Sequence, residues 1–299
     1  LSAQGANARG LLMFWLDGIL ASASEQMVGS YLGLYLLALG ASGQQVGLLS
    51  SMPALAGAAM LLPGARLAAR FPNYRNLIIV TSLAGRSMLA LMAIVPLILQ
   101  GQAVIAAIIA LAALRAAGSQ VGVPAWTALS ALVAPPAIRG RYFSLRTASM
   151  NLAAMVAVPI AGALIAAVGS PLGYQVTIGL AFAAGLLASW TLAYIPFEPS
   201  AARAQRQAPS LRRVFGLLPG QPSFLRLCLV AITINLAVPI AGPFFNVYLV
   251  RDLGASPSYV GILTTVQTGA ILAATPFWGR LMDRRGLRWV MVRSTPLIA

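Results

Sequence analysis

The sequence predicts an all-α integral membrane protein, and three observations carry that prediction. Hydrophobic residues make up 59% of the chain and charged residues only 8%, against about 25% charged in a soluble domain. Too few charges remain to keep a water-facing surface from aggregating. The apolar residues form long continuous runs of the ~20 residues that a helix needs to cross ~30 Å of hydrocarbon. The ten-residue alternation of a barrel strand is absent.

The same composition excludes several function classes. A net charge of +15 usually points to nucleic acid, but the arginines sit mainly in gaps between apolar runs rather than on one polar face, so no nucleic-acid partner is expected. The chain has no histidine and no lysine, and one cysteine, Cys228. Without lysine there is no phosphate-binding lysine loop. Without histidine there is no serine–histidine triad and no histidine metal site. No enzyme activity, cofactor or metal is expected.

Eight complete spans follow in order: residues 11–39, 45–63, 77–99, 103–133, 145–168, 172–195, 225–250 and 259–278, with a ninth starting near Trp289. The first is too long and too polar for a cleaved signal, with Asp17 and Glu25 inside it. Gaps after spans one, three, five and seven are short and carry a single arginine, Arg251. Arg9 and the gaps after spans two, four, six and eight carry sixteen of the twenty arginines, including Arg66, Arg70, Arg75, Arg139, Arg141, Arg146, Arg284 and Arg288. The positive-inside rule puts the amino terminus and these even gaps in the cytoplasm. The expected location is therefore the inner or plasma membrane, crossed many times.

The long connector, residues 198–224, divides the chain. Residues 1–197 are expected as a six-helix bundle and 225–299 as an incomplete second bundle. Within the connector, residues 210–218 read as a basic amphipathic helix on the inner leaflet. Leu39-Gly40-Ala41-Ser42 before Val46-Gly47 recurs as Leu253-Gly254-Ala255-Ser256 before Val260-Gly261. Each copy offers a helix-ending glycine and an N-capping serine. The constant offset argues for two like-oriented repeats.

After span eight the chain reads Gly279-Arg280-Leu281-Met282-Asp283-Arg284-Arg285-Gly286-Leu287-Arg288. This resembles the cytoplasmic loop signature of the major facilitator superfamily, Gly-x-x-x-Asp-Arg-x-Gly-x-Arg, with every specified position filled. A weaker copy follows span two, where Gly64, Arg70 and Arg75 survive without the aspartate. The resemblance implies two six-helix bundles, so the chain reads as C-terminally truncated, lacking about 100 residues at roughly 25–35 per span and loop. It also implies alternating access, with Gly279, Asp283, Arg284, Gly286 and Arg288, and Gly64, Arg70 and Arg75 in the first copy, as a gating loop. Positive-inside topology explains the arginines but not Asp283 or Gly286.

Ionisable groups inside hydrocarbon cost about 2.5–3.5 kcal/mol each on insertion scales, which makes them functional candidates. Glu25, Arg86 and Arg115 fall in the middle third of the bilayer. A carboxylate that can exchange a guanidinium for a proton is what proton coupling requires; a fixed ion pair between helices is the alternative. Arg115-Ala116-Ala117-Gly118 with Gly122 is similar to the span-four motif of the family's proton-coupled drug antiporters. Val158-Pro159-Ile160-Ala161-Gly162-Ala163 resembles their span-five element weakly, and close packing is its stronger reading. On span one, Asp17, Ser24, Tyr31 and Tyr35 fall within about 40° of one another. They read as a cavity wall with Glu25 at its edge, a helix–helix contact being the alternative, and Asp17 also fits a terminal charge. Asn235 and Asn246 flank prolines that would interrupt span seven at a binding site.

These features predict a monomeric secondary transporter moving a small organic solute, with protons as coupling partner and efflux as direction. An uptake symporter for a sugar or metabolite is the alternative within that class. A membrane receptor or scaffold of the same fold is the alternative outside it.

Overall fold

The apolar runs become helices whose ends obey local chemistry. The structure, a computed structural model, describes residues 3–71, 73–134, 138–195 and 247–285, with isolated positions at 222, 225–226, 229–230, 232–233, 245, 289 and 293. Seven helices are defined: α1 (Ala3–Ala38), α2 (Gly43–Arg70), α3 (Tyr74–Ile98), α4 (Gln102–Val133), α5 (Arg139–Val168), α6 (Leu172–Ala193) and α7 (Pro257–Arg285). Residues 247–251 are also helical, and no strand occurs among the described residues.

Five of these helices, α2 to α6, are long and apolar enough to cross a membrane. The long α1 falls outside that group because Asp17, Glu25, Gln26 and its serines dilute its apolar character. The apolar part of α7, Ser258–Ala274, is shorter. The expected interfacial helix at 210–218 and the start of a ninth span lie largely or wholly outside the described residues.

The connections separate the bundle into two unlike ends. Gly40, Gly101, Gly169 and Gly254 all have positive φ, between 60° and 87°, and all four lie in turns after odd-numbered expected spans. This is the glycine-turn end. The duplicated turn repeats in geometry as well as sequence. Ser42 caps α2 by accepting from the Gln45 N–H, and Ser256 caps α7 by accepting from the Tyr259 N–H.

The opposite, arginine end uses its charges on helix termini. The Arg75 guanidinium donates to Ala193 O and Ile195 O at the end of α6. Arg139 donates to Ala131 O and Ala134 O at the end of α4. Cations there satisfy carbonyls that lack helical donors and complement the negative end of the dipole. α2 stops at Phe71, whose extended backbone (φ −75°, ψ 128°) is what a residue before proline adopts.

Two helix boundaries correct the sequence reading. α5 starts at Arg139, so Arg139, Arg141 and Arg146 are all helical rather than connector charges. α7 runs to Arg285, so residues 279–285 of the signature are helical rather than loop. Leu281, Met282 and the arginines favour helix, and the first breaker is Gly286. Gly286 and Arg288 lie outside the described residues, as do Asn235 and Asn246.

Helix α4 packs on α2 and on α3, α1 packs on α5 and α6, α3 on α6, and α5 on α7. Gly64 makes the α2–α4 approach possible, because a Cβ there would meet Val121 Cα at 2.7 Å. Two apolar cores result. One, toward the glycine turns, includes Tyr35, Leu36, Leu89, Met92, Ile108 and Tyr174. The other, toward the arginine end, includes Phe14, Tyr74, Leu77, Leu129 and Ile195. Along the helices, Asp17, Glu25, Arg86, Arg115 and Arg146 fall between the two cores.

Candidate transport site

The polar layer between the two cores contains both carboxylates of α1. Glu25 pairs with Arg115 of α4, two residues that the sequence singles out independently. The Glu25 side chain is 60% exposed and that of Arg115 18%. Asp17 pairs elsewhere: its Oδ2 lies 3.3 Å from Arg146 Nη2, with both side chains under 10% exposed. Asp17 is fourteen residues into α1 and therefore not a helix-terminal charge.

Arg146 is the residue that sequence reasoning missed. Its Nε donates to Phe14 O at 3.0 Å, Nη1 lies 3.4 Å from Met150 Sδ, and the guanidinium stacks 4.4 Å from the Phe14 ring centroid. Trp126 stands on another side at 5.6 Å. Gly18 provides the space, since a Cβ there would lie 2.6 Å from the Arg146 Cζ. The sequence signal was Asp17 itself, a carboxylate inside a span that needs a partner.

Arg86 of α3 donates to Ser189 Oγ of α6. It lies within electrostatic range of Asp17, Glu25 and Arg115 but pairs with none of them among the described contacts. Gly185 makes room for it: a Cβ there would approach Arg86 Nε to 2.9 Å.

The expected cavity wall on α1 is a packing seam instead. Ser24 donates to Ala181 O of α6 at 2.6 Å. Tyr31 donates to Val158 O of α5 at 3.0 Å. Tyr35 lies 3.4 Å from Met92 O of α3 and stacks on Tyr174. All three are at most 2% exposed. Hydroxyls inside a membrane bundle take neighbouring carbonyls because no water competes. The cavity lies a step round the helix, on the Glu25 side, where Gly29 and Gly33 follow at four-residue intervals. About 380 Å³ in volume, it is lined by Gly29, Ser30, Gly33, Ser50, Arg115 and Val247 among others. Arg115 is its one charged lining residue among the described residues. A second cavity of about 640 Å³ opens at the glycine-turn end beside Ser42, Tyr174 and Arg251.

Of the expected gating residues, Arg70 is an exposed cation in the last turn of α2, and Arg75 caps α6. Gly279, Asp283 and Arg284 lie on the last turns of α7, where Arg284 is exposed. No cluster of metal-ligating side chains occurs among the described residues.

The family model described as Major Facilitator Superfamily matches residues 14–245 and 227–299. The chain belongs to the Major Facilitator Superfamily. No curated protein sequence matches it. Among solved structures, the fold is similar to a bacterial homolog of the human lysosomal transporter Spinster in an inward-facing, unoccupied conformation. The TM-score is 0.73 at 18% identity, covering 96% of this chain and 64% of that one. The occupied form of that homolog gives 0.69 at 20% identity, covering 93% and 62%. A D-xylose-proton symporter gives 0.59 at 12% identity, covering 93% and 68%. The chain thus spans less than two thirds of the length of the Spinster homolog. At these identities the likeness establishes the fold, that of a superfamily of membrane transporters.

Proposed function

We propose that this facilitator-superfamily chain works by alternating access, with Glu25 and Arg115 coupling proton movement to the passage of a small organic solute. The observation that carries this reading is the Glu25–Arg115 pair, whose arginine also lines the cavity. Protonating Glu25 dissolves the ion pair and frees Arg115, so one proton changes the charge of the cavity wall. Differential binding of that proton in two arrangements biases the equilibrium between them.

In this reading residues 1–197 and 225–299 belong to two bundles joined by the cytoplasmic connector 198–224. Eight spans are complete, the arginine end faces the cytoplasm, and the protein acts as a monomer in the cell membrane. Asp283, with Arg284 and Arg288, serves the gate. Efflux is the direction that the span-four resemblance favours. The test is proton-gradient-driven flux in reconstituted vesicles, comparing the protein with Glu25→Gln. Coupling should vanish in the variant; unchanged coupling removes Glu25 from the mechanism. Orientation is read separately. With Cys228 replaced by serine, single cysteines at Arg139 and Arg284 should react with impermeant reagents only from the cytoplasmic side.

One observation favours the symport alternative. Arg115 lines the cavity and presents a cation to a solute there. An anionic solute would compete with Glu25 for Arg115, so a proton on Glu25 and an anion on Arg115 would bind together. Positive linkage of that kind moves both in one direction. A cationic solute would compete with Arg115 for Glu25, and hence with the proton, giving antiport. Proton uptake on solute binding, measured in weakly buffered detergent solution, separates the two by sign.

A further inference from the structure

Pro159 changes the chemistry of its own helix. Proline has no N–H, so the carbonyl four residues earlier, Met155 O, loses the helical donor that its neighbours receive. Inside a membrane an unsatisfied carbonyl is costly unless another group reaches it. Thr265 of α7 does so: its Oγ1 lies 3.2 Å from Met155 O.

The contact is part of a continuous seam. Ser258 Oγ lies 3.4 Å from Gly162 O. Between Ser258 and Thr265, Gly261 lets the two helices touch; a Cβ there would stand 3.0 Å from Pro159 Cα and 2.8 Å from Tyr31 Oη. Ser258, Gly261 and Thr265 share one face of α7, and Met155, Pro159 and Gly162 share one face of α5. The seam lies on the half of α7 nearest the glycine turns.

Thr265 has a second acceptor, Gly261 O in its own helix, at 2.9 Å. A hydroxyl carries one proton and can serve one acceptor fully at a time. The two acceptors are not equivalent. Gly261 O has the ordinary helical donor four residues on, whereas Met155 O has lost its own to Pro159.

We propose that Thr265 is a gating residue, its hydroxyl seated on the carbonyl that Pro159 sets free, and that this contact favours the state in which α5 and α7 meet at the glycine-turn end. The role rests on the alternating-access reading. When the helices part, the Thr265 hydroxyl donates to Gly261 O alone and Met155 O must find water. In the proposed orientation the contact closes the outer side. Pro159 therefore acts at a distance from any solute, by creating an acceptor.

The test is a double-substitution cycle read by distance. Spin labels on cysteines placed at Ala167 of α5 and Tyr259 of α7, in a Cys228→Ser background in vesicles, report the joined and parted populations. Thr265→Val, which keeps shape and loses the hydroxyl, should raise the parted-to-joined ratio about five-fold, the size of one net hydrogen bond. Thr265→Ser should restore the original ratio. In Pro159→Ala the N–H at 159 returns Met155 O to its helix, so Thr265→Val should then change the ratio by less than about two-fold. An equal shift in both backgrounds, or none in the native one, overturns the proposal. Flux and proton coupling are measured on separate samples, so failure of the Glu25 mechanism leaves these distances unaffected.

Discussion

Two carboxylates eight residues apart on α1 are treated in opposite ways by the same bundle. Asp17 is sealed in: its arginine partner also holds a backbone carbonyl and stacks on Phe14, and Gly18 is shaped to admit it. Glu25 stands at the rim of the layer, largely open, with a partner that faces a cavity. Removing one member of a buried pair leaves an uncompensated charge, whereas a pair that water reaches through a cavity is screened and separates at lower cost. The difference teaches that burial and the number of further partners distinguish a clasp from a switch, while formal charge and depth in the bundle do not.

The sharpest way to break the comparison is Arg146→Ala. Stranding Asp17 should cost about 3–5 kcal/mol, read as a lowered thermal unfolding midpoint in detergent micelles. A loss below about 1 kcal/mol would mean that Asp17 is as replaceable as Glu25. A milder probe is Gly18→Ala, which pushes a methyl against the guanidinium. Overpacking of that kind costs about 1–3 kcal/mol, and the same melting experiment should rank it between Arg146→Ala and the native protein. The smallest effect on stability belongs to the second pair. Glu25→Gln and Arg115→Gln should each stay within about 1 kcal/mol of the parent, while both abolish proton-driven accumulation or extrusion in vesicles. If either melts as early as Arg146→Ala, the open pair is a clasp after all.

Much of the architecture could be read from residue order alone, because apolar run length, turn glycines and capping serines act locally. The turn at Gly40 and Ser42 and its counterpart at Gly254 and Ser256 are examples. Glu25 and Arg115 were legible for a related reason: a charge inside hydrocarbon must be reconciled with something. Arg146 was not, because it follows Arg139 and Arg141 and was pooled with them by the positive-inside rule. Which way it faces depends on the rotation of α5 against α1. The stripe of Ser24, Tyr31 and Tyr35 was correctly placed on one face of α1, but which neighbour that face meets depends on helix rotation and crossing. Periodicity in one helix does not set those. The same holds for Pro159, whose consequence appears only when α7 is laid against it.

The duplicated turn has one difference with a mechanical consequence. In the first copy, the Gln45 carboxamide accepts from the Ser42 N–H at 2.8 Å and donates to Gln102 Oε1 at 2.6 Å. Gln102 opens α4, so this bridge bolts two neighbouring hairpins into one plate. The matching position in the second copy is Tyr259, which carries no carboxamide to repeat the bridge. The tie between hairpins is therefore a property of the first copy's side chains and not of the bend: a turn glycine and a capping serine make the bend in both copies, while the carboxamide at position 45 reaches across to α4.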